Sequence, residues 1–214
     1  MIVADLTKPA GLRAVEERVR GTGNLEKLVN NAGFSGYMPF IDLAPDRAEE
    51  LIQLHVVAPT RLIRAALPGM IARGGGAIIN VSSLLAFSVS VPAAATLPKH
   101  VTYAAAKASL NAFTTLLHIE LQGTGVRMQV LCPGVVDTEF HSQADLLRLA
   151  AAEVPAMKPE AVVEASLAGL RLGEVVCVPA LDDPALITQC QEIERRLLQS
   201  AVRTGTVSER YAAG

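Results

Sequence analysis

The sequence predicts an α/β domain in which helices cover a mostly parallel sheet, and three observations predict it. Short β-branched runs alternate with longer helical patterns along the chain. The glycine-rich stretches RGTGN (20–24) and RGGGA (73–77) each stand after a helical pattern and before a strand pattern, as αβ turns do. With 214 residues, half of them hydrophobic, the chain is long enough to bury one core and reads as a single domain, 1–214.

Taken in order, IVADL (2–6) is the first strand candidate. KPAGLRAVEERVRG follows as a helix, with Thr7 as its N-cap candidate and Pro9 in the first turn, where a missing N–H is harmless. KLVNN (27–31) is the second strand. PDRAEELIQLHVVAPTRLIRAALPGMIARG is a long helix with bends expected at Pro59 and Pro68. AIINVSS (77–83), a helix from Thr102 to Leu121, and the strand VRMQVLC (126–132) come next. KPEAVVEASLAGLRLG reads as a helix closed by Gly173, EVVCVP (174–179) as a strand and 183–203 as a last helix, after which 205–214 reads as a frayed tail.

Composition narrows the function classes. A net charge of -2 offers no basic field for a phosphate backbone, and 4% aromatic residues with no Trp leave few stacking platforms, so nucleic acid is not expected as a partner. Cys132, Cys177 and Cys190 are odd in number and follow no ligand spacing; they read as packing residues in a reducing compartment, and no metal is expected. No apolar run reaches the roughly 18 residues of a membrane span. The opening MIVADLTKPAG lacks a basic n-region, so no membrane partner and a cytoplasmic location are expected.

In open α/β sheets ligands sit beyond the carboxyl ends of the strands. NNAG (30–33), Ser82 with Ser83, and CPGVVDTEF (132–140) all end strand candidates with small or polar residues. On the helix after Ser83, Tyr103 and Lys107 are four apart, so the phenol and the ammonium share one face.

ADL (4–6), NNAG (30–33), NVSS (80–83), YAAAK (103–107) and PGVVDT (133–138), in this order, resemble the short-chain dehydrogenase/reductase family across nearly the whole chain, most loosely after about residue 141. The resemblance implies a Rossmann-like doubly wound parallel sheet, NAD or NADP as cofactor, and hydride transfer between a ketone or aldehyde and an alcohol. It also implies roles. Tyr103 would be the acid or base at the substrate oxygen, Lys107 would favour the phenolate and reach the cofactor ribose, and Ser83 would hydrogen-bond the developing oxyanion. Asp5 and Leu6 match the adenine side of the cofactor site, Asn31, Ala32 and Gly33 the close-approach strand end, and Pro133, Gly134, Val136 and Thr138 the nicotinamide side. A missing Cβ at Gly33 and Gly134 would let backbone approach a ligand. Homo-dimers or homo-tetramers, paired through about 47–73 and 102–122, are expected.

The chain also departs from the family pattern. The Gly-rich TGxxxGxG turn that binds pyrophosphate at a helix N-terminus is not in the sequence, so the chain reads as N-terminally truncated by two βα units, about 50 residues. We expect a longer functional protein, from a start codon assigned too late. IVADL pairing directly with the open edge of KLVNN is the alternative. His55 stands where the family usually has an Asn that orients a water beside the catalytic Lys, so it is a candidate catalytic residue or a packing one. His100, His118 and His141 read as surface or loop residues. Tyr103 follows Ser83 by 20 positions, several more than is usual. Leu84, Leu85 and Phe87 in that interval suggest an apolar wall for a hydrophobic carbonyl or secondary alcohol, and 141–157 suggests a substrate lid. The rival reading is a non-catalytic remnant that serves as a binding or oligomer partner.

Overall fold

The computed structural model describes residues 1–90, 99–140, 154–202 and 205–211. Two compact units divide the chain, Met1–Ala180 and Leu181–Gly214. The first holds a four-stranded sheet, β1 (Lys27–Asn30), β2 (Gly76–Val81), β3 (Val126–Leu131) and β4 (Val176–Cys177), in that spatial order. All three pairings are parallel, with Asn30 opposite Asn80 and Val81 opposite Leu131, so the carboxyl ends lie side by side. EVVCVP contributes only two residues to the ladder, where Val176 and Cys177 pair with Val130 and Leu131.

Alternation along β2 and β3 divides the core between the faces. Ile78, Val126 and Met128 pack with Ile63, Ala66 and Met70 of α3 (Ala58–Ala72), and with Phe113 and Leu117 of α4 (Val101–Glu120). Ala77, Ile79 and Leu131 face the other way and pack with Val162 and Leu170 of α5 (Pro159–Leu172). Helices on both faces are what a doubly wound sheet requires. Gly173 closes α5 with φ 80°, as its position in the sequence suggests.

Residues 2–6 do not form the expected strand, either alone or paired with β1, and Ile2 and Val3 are exposed. The cause is local. The Asp5 carboxylate accepts hydrogen bonds from the Thr7 N–H at 2.9 Å and the Thr7 hydroxyl at 2.7 Å, which turns the chain at once into α1 (Pro9–Arg20). Thr7 therefore is not the cap: the N-cap position is Lys8, and it makes no side-chain cap bond. α1 then lies on α3, joined by Leu12, Ala58 and Leu62 and by the buried Glu16, which accepts from Arg61 Nε at 2.7 Å.

The long second helix is interrupted, though not by its prolines. α2 (Pro45–Ile52) passes through a π turn at Gln53–Val57 into α3, with Pro59 in the first turn of α3 and Pro68 inside it. In the second unit, α6 (Ala185–Val202) occupies most of the helix expected at 183–203, and a 3-10 turn at Glu209–Tyr211 follows. Cys132 and Cys177 are buried as expected of packing residues, whereas Cys190 is exposed on α6, because its neighbours along that helix bury no side chain.

A polar ladder fixes the strand ends to α4. Asn30 Nδ2 donates to Asn80 Oδ1 at 2.8 Å, Asn80 Nδ2 donates to Thr114 Oγ1 at 2.8 Å, and Thr114 donates to the Leu110 carbonyl at 2.7 Å. Asn80 and Thr114 are both fully buried. Replacing Thr114 by Val keeps the shape and strands the Asn80 amide, so Thr114→Val lowers unfolding free energy by about 1–3 kcal/mol in urea denaturation. A loss below about 0.5 kcal/mol would show that the ladder holds nothing.

Candidate active site

β2 ends at Val81, and the next two residues are serines that meet α4. Ser82 Oγ donates to the Lys107 carbonyl at 3.1 Å, while Lys107 Nζ donates to the Val81 carbonyl at 2.7 Å. These two adjacent rungs fix the register of α4 against the strand end. One residue further, Ser83 is hydrogen-bonded to the phenol of Tyr103, one helical turn before Lys107. Ser83 Oγ also accepts from the Leu85 N–H at 3.1 Å, at the start of a 3-10 segment, Leu84–Ser90. The neighbouring strand end is tied in as well, since the Leu84 N–H donates to the Pro133 carbonyl at 2.8 Å.

Ser83, Tyr103, Lys107 and His55, four residues singled out in the sequence, therefore stand together and are all buried. Burial pushes the Tyr103 phenol up to about 12, with the Ser83 hydrogen bond acting against it. Burial also pushes the Lys107 ammonium down to about 8. His55 lies with its ring centroid 5.4 Å from that of Tyr103 and edge-on to it. Desolvation, and then the Lys107 charge, drive its pKa down to about 3. His55 is thus neutral throughout the range near pH 6–7 in which an exposed imidazole titrates.

The residues matched to a cofactor divide. Asn31, Ala32 and Gly33 are exposed beyond β1, and Pro133, Gly134, Val136 and Thr138 follow β3. Val136 pairs with Met157 in an isolated parallel bridge, and Thr138 Oγ1 accepts from the Phe140 N–H at 3.3 Å. Asp5 and Leu6 join the α1 end of the molecule instead, Asp5 in its turn and Leu6 in the cluster of Leu12, Ala58 and Leu62. Gly33 has a reason other than ligand approach: a Cβ there would stand 2.6 Å from His55 Cε1. At Gly134 the nearest atom to an added Cβ is Met157 Cε at 3.8 Å, so packing does not demand the glycine.

Whether these residues suit a nicotinamide dinucleotide is tested by Lys107. Lys107 is 4% exposed and its ammonium carries three donors, of which one goes to the Val81 carbonyl among the described residues. A pair of ribose hydroxyls matches the donors left over, so the nicotinamide-ribose half fits. For the pyrophosphate the sequence holds no strand-to-helix glycine turn; Gly74 and Gly76, with φ of 70° and 153°, serve the turn into β2.

Two further rings that carry no sequence motif border the phenol. Tyr37 lies edge-on to Tyr103 with centroids 5.6 Å apart, and Phe140 lies at 6.2 Å. Tyr37 stands four residues beyond NNAG and Phe140 ends CPGVVDTEF, and nearness to a strand end is the one signal that points to them. Of the expected apolar wall, Leu84 and Phe87 are partly exposed, at 46% and 37%. His100 meets Ser88 Oγ at 2.9 Å through Nε2, and His118 is partly buried on α4. His141, residues 91–98 of the long interval and most of the 141–157 lid lie outside the described residues.

The buried ammonium has a measurable consequence. Between its folded value near 8 and its ordinary value of 10.5, the unfolded chain holds a proton at Lys107 that the folded chain has released. This group's contribution to stability therefore rises with pH across that window. The unfolding free energy of the parent minus that of Lys107→Met should climb by on the order of 2–3 kcal/mol from pH 7 to about pH 10.5. A difference that does not change with pH would contradict the depressed pKa.

The sequence profile described as short chain dehydrogenase matches residues 1–146. Oxidoreductase UcpA of Escherichia coli (strain K12) is 29% identical over 198 residues, covering 90% of this chain and 72% of that protein. A short chain dehydrogenase of Pseudocercospora fijiensis (strain CIRAD86) is 31% identical over 207 residues, and this chain, 94% covered, spans 63% of its length. Among solved structures, the bulky-bulky ketone specific alcohol dehydrogenase from Comamonas testosteroni superposes with TM-score 0.83 and 27% identity, over 99% of this chain and 77% of that one. The short-chain dehydrogenase from Sphingobium yanoikuyae, solved with NADPH, gives TM-score 0.82 and 30% identity over 97% and 78%. With Ser83, Tyr103 and Lys107 in the order and place that this fold provides, the chain belongs to the short-chain dehydrogenase/reductase family of oxidoreductases.

Proposed function

We propose that the chain interconverts a ketone or aldehyde and the corresponding alcohol by hydride transfer, with Tyr103 handling the proton. The observation that carries this reading is the Ser83–Tyr103 hydrogen bond beside the buried Lys107 ammonium, at the carboxyl end of β2. In reduction the carbonyl carbon gains a hydride while its oxygen gains a proton. Tyr103 donates that proton, and its phenol, near 12, is fully protonated at neutral pH and ready to do so. Ser83 turns its hydroxyl to the same oxygen as negative charge develops. Lys107, near 8, can exchange its own proton close to neutrality, which suits a group that recharges the phenol.

A bound nicotinamide supplies or takes up the hydride. Lys107 and Tyr103 would hold its ribose, and Asn31, Ala32, Pro133, Gly134, Val136 and Thr138 would line its approach. Asp5 and Leu6, at the start of α1, would lie toward its adenine side. The cofactor is NAD or NADP, and the Sphingobium yanoikuyae relative was solved with NADPH. For the substrate, the partly exposed Leu84 and Phe87 support an apolar carbonyl, and the Comamonas testosteroni relative is specific for bulky ketones. Homo-oligomers built on α2, α3 and α4 are part of the same reading.

Titration with NADH and NADPH, followed by turnover of an aryl or bulky alkyl ketone, tests the proposal. Saturable binding is expected, and Tyr103→Phe should cut turnover by about 100-fold or more while binding persists. Unchanged turnover in Tyr103→Phe removes the mechanism, and no binding of either nucleotide favours a chain that acts only as a binding partner.

A further inference from the structure

His55 is 1% exposed and rises from the π turn that joins α2 to α3. Its Nε2 lies 3.0 Å from the Phe34 carbonyl oxygen. A carbonyl only accepts, so this contact fixes the proton on Nε2 and leaves Nδ1 with its lone pair. With a pKa near 3, a second proton is absent throughout the neutral range.

Three surfaces hold the ring. Gly33 lies so close that an added Cβ would come within 2.6 Å of Cε1. The Phe34 ring is tilted against it at 5.9 Å, and the Tyr103 ring meets it edge-on, at 5.4 Å and 88°. The imidazole thus touches the loop after β1 on one side and the Tyr103 ring of α4 on the other. An asparagine could keep a hydrogen bond to Phe34, but it has no ring to brace a phenol.

We propose that His55 is a positioning residue of the Tyr103 site: in one fixed tautomer it clamps the Gly33–Phe34 loop and braces the phenol ring, and it carries no proton during turnover. This rests on the reading of Tyr103 as the proton donor. Its role explains the glycine at 33, whose backbone makes room for the imidazole.

NMR of the intact chain labelled with [15N]histidine tests the tautomer without any need for activity. From about pH 5 to 9, the His55 ring should keep one protonated and one bare nitrogen, with the proton on Nε2. Titration within that range, or a proton on Nδ1, overturns the proposal. In ketone turnover, His55→Asn should lower kcat about 10-fold with KM within about twofold and the shape of the pH–rate profile unchanged, while His55→Phe, which keeps a ring against Tyr103, should lose less. Parent-like kcat in His55→Asn, or loss of one limb of the profile, overturns it. Should the parent chain turn over no carbonyl at all, the hydride-transfer reading fails, and the NMR result alone decides the state of His55.

Discussion

The hydrogen bond from the buried Lys107 ammonium to the carbonyl of Val81 is the interaction on which the rest of the site depends. Burying an ammonium is costly, and the cost shows in its pKa near 8. The same residue returns a rung through its backbone, because its carbonyl accepts from Ser82. Side chain and main chain of one lysine therefore grip two successive residues at the end of β2. The next residue along, Ser83, is delivered to the phenol one turn earlier on α4. A shift of the helix by one residue would break both rungs.

Around this grip the molecule spends small polar residues where an ordinary core would use apolar ones. Asn30, Asn80 and Thr114 link β1, β2 and α4 in one chain of bonds. Cys132 reaches Asn111 of α4 through its thiol at 3.5 Å, and burial holds that thiol up at about 12, so it stays protonated. Each link is directional, so the carboxyl ends of the strands are held more rigidly than burial alone would hold them. Opposite, on the other face of β3, Gln129 and Ser166 form a separate buried pair that secures α5.

Much of this was legible in the sequence, and for identifiable reasons. Parallel strands buried on both faces leave near-continuous apolar runs, which marks AIINVSS and VRMQVLC within a residue or two of their ends, while the half-exposed KLVNN is marked by the glycine turn before it. The spacing of Tyr103 and Lys107 is a helical period, and Ser83 sits where a strand must stop. IVADL has the composition of a strand without forming one, because a β-branched run also needs a neighbour, and the Asp5 turn intervenes before one is met. The π turn at Gln53–Val57 leaves no pattern, since the buried residues Leu51, Leu54, His55, Ala58 and Leu62 keep helical spacing straight through it. Tyr37 and Phe140 were missed because ring contacts from loops have no period to detect. The packing reason for Gly33 has no mark in the sequence, because the imidazole that its missing Cβ admits stands 22 residues away at His55.

The most direct test of the central grip is the titration of Lys107 itself. Lysine labelled with 13C at Cε, assigned by comparison with Lys107→Met, reports the ionisation of that one ammonium in the folded chain. A midpoint near 8 is the result expected of an ammonium buried beside the Val81 carbonyl. A midpoint at the ordinary 10.5 would mean that the amine is solvated, and that neither the register of α4 nor the arrangement of Ser83 and Tyr103 rests on it.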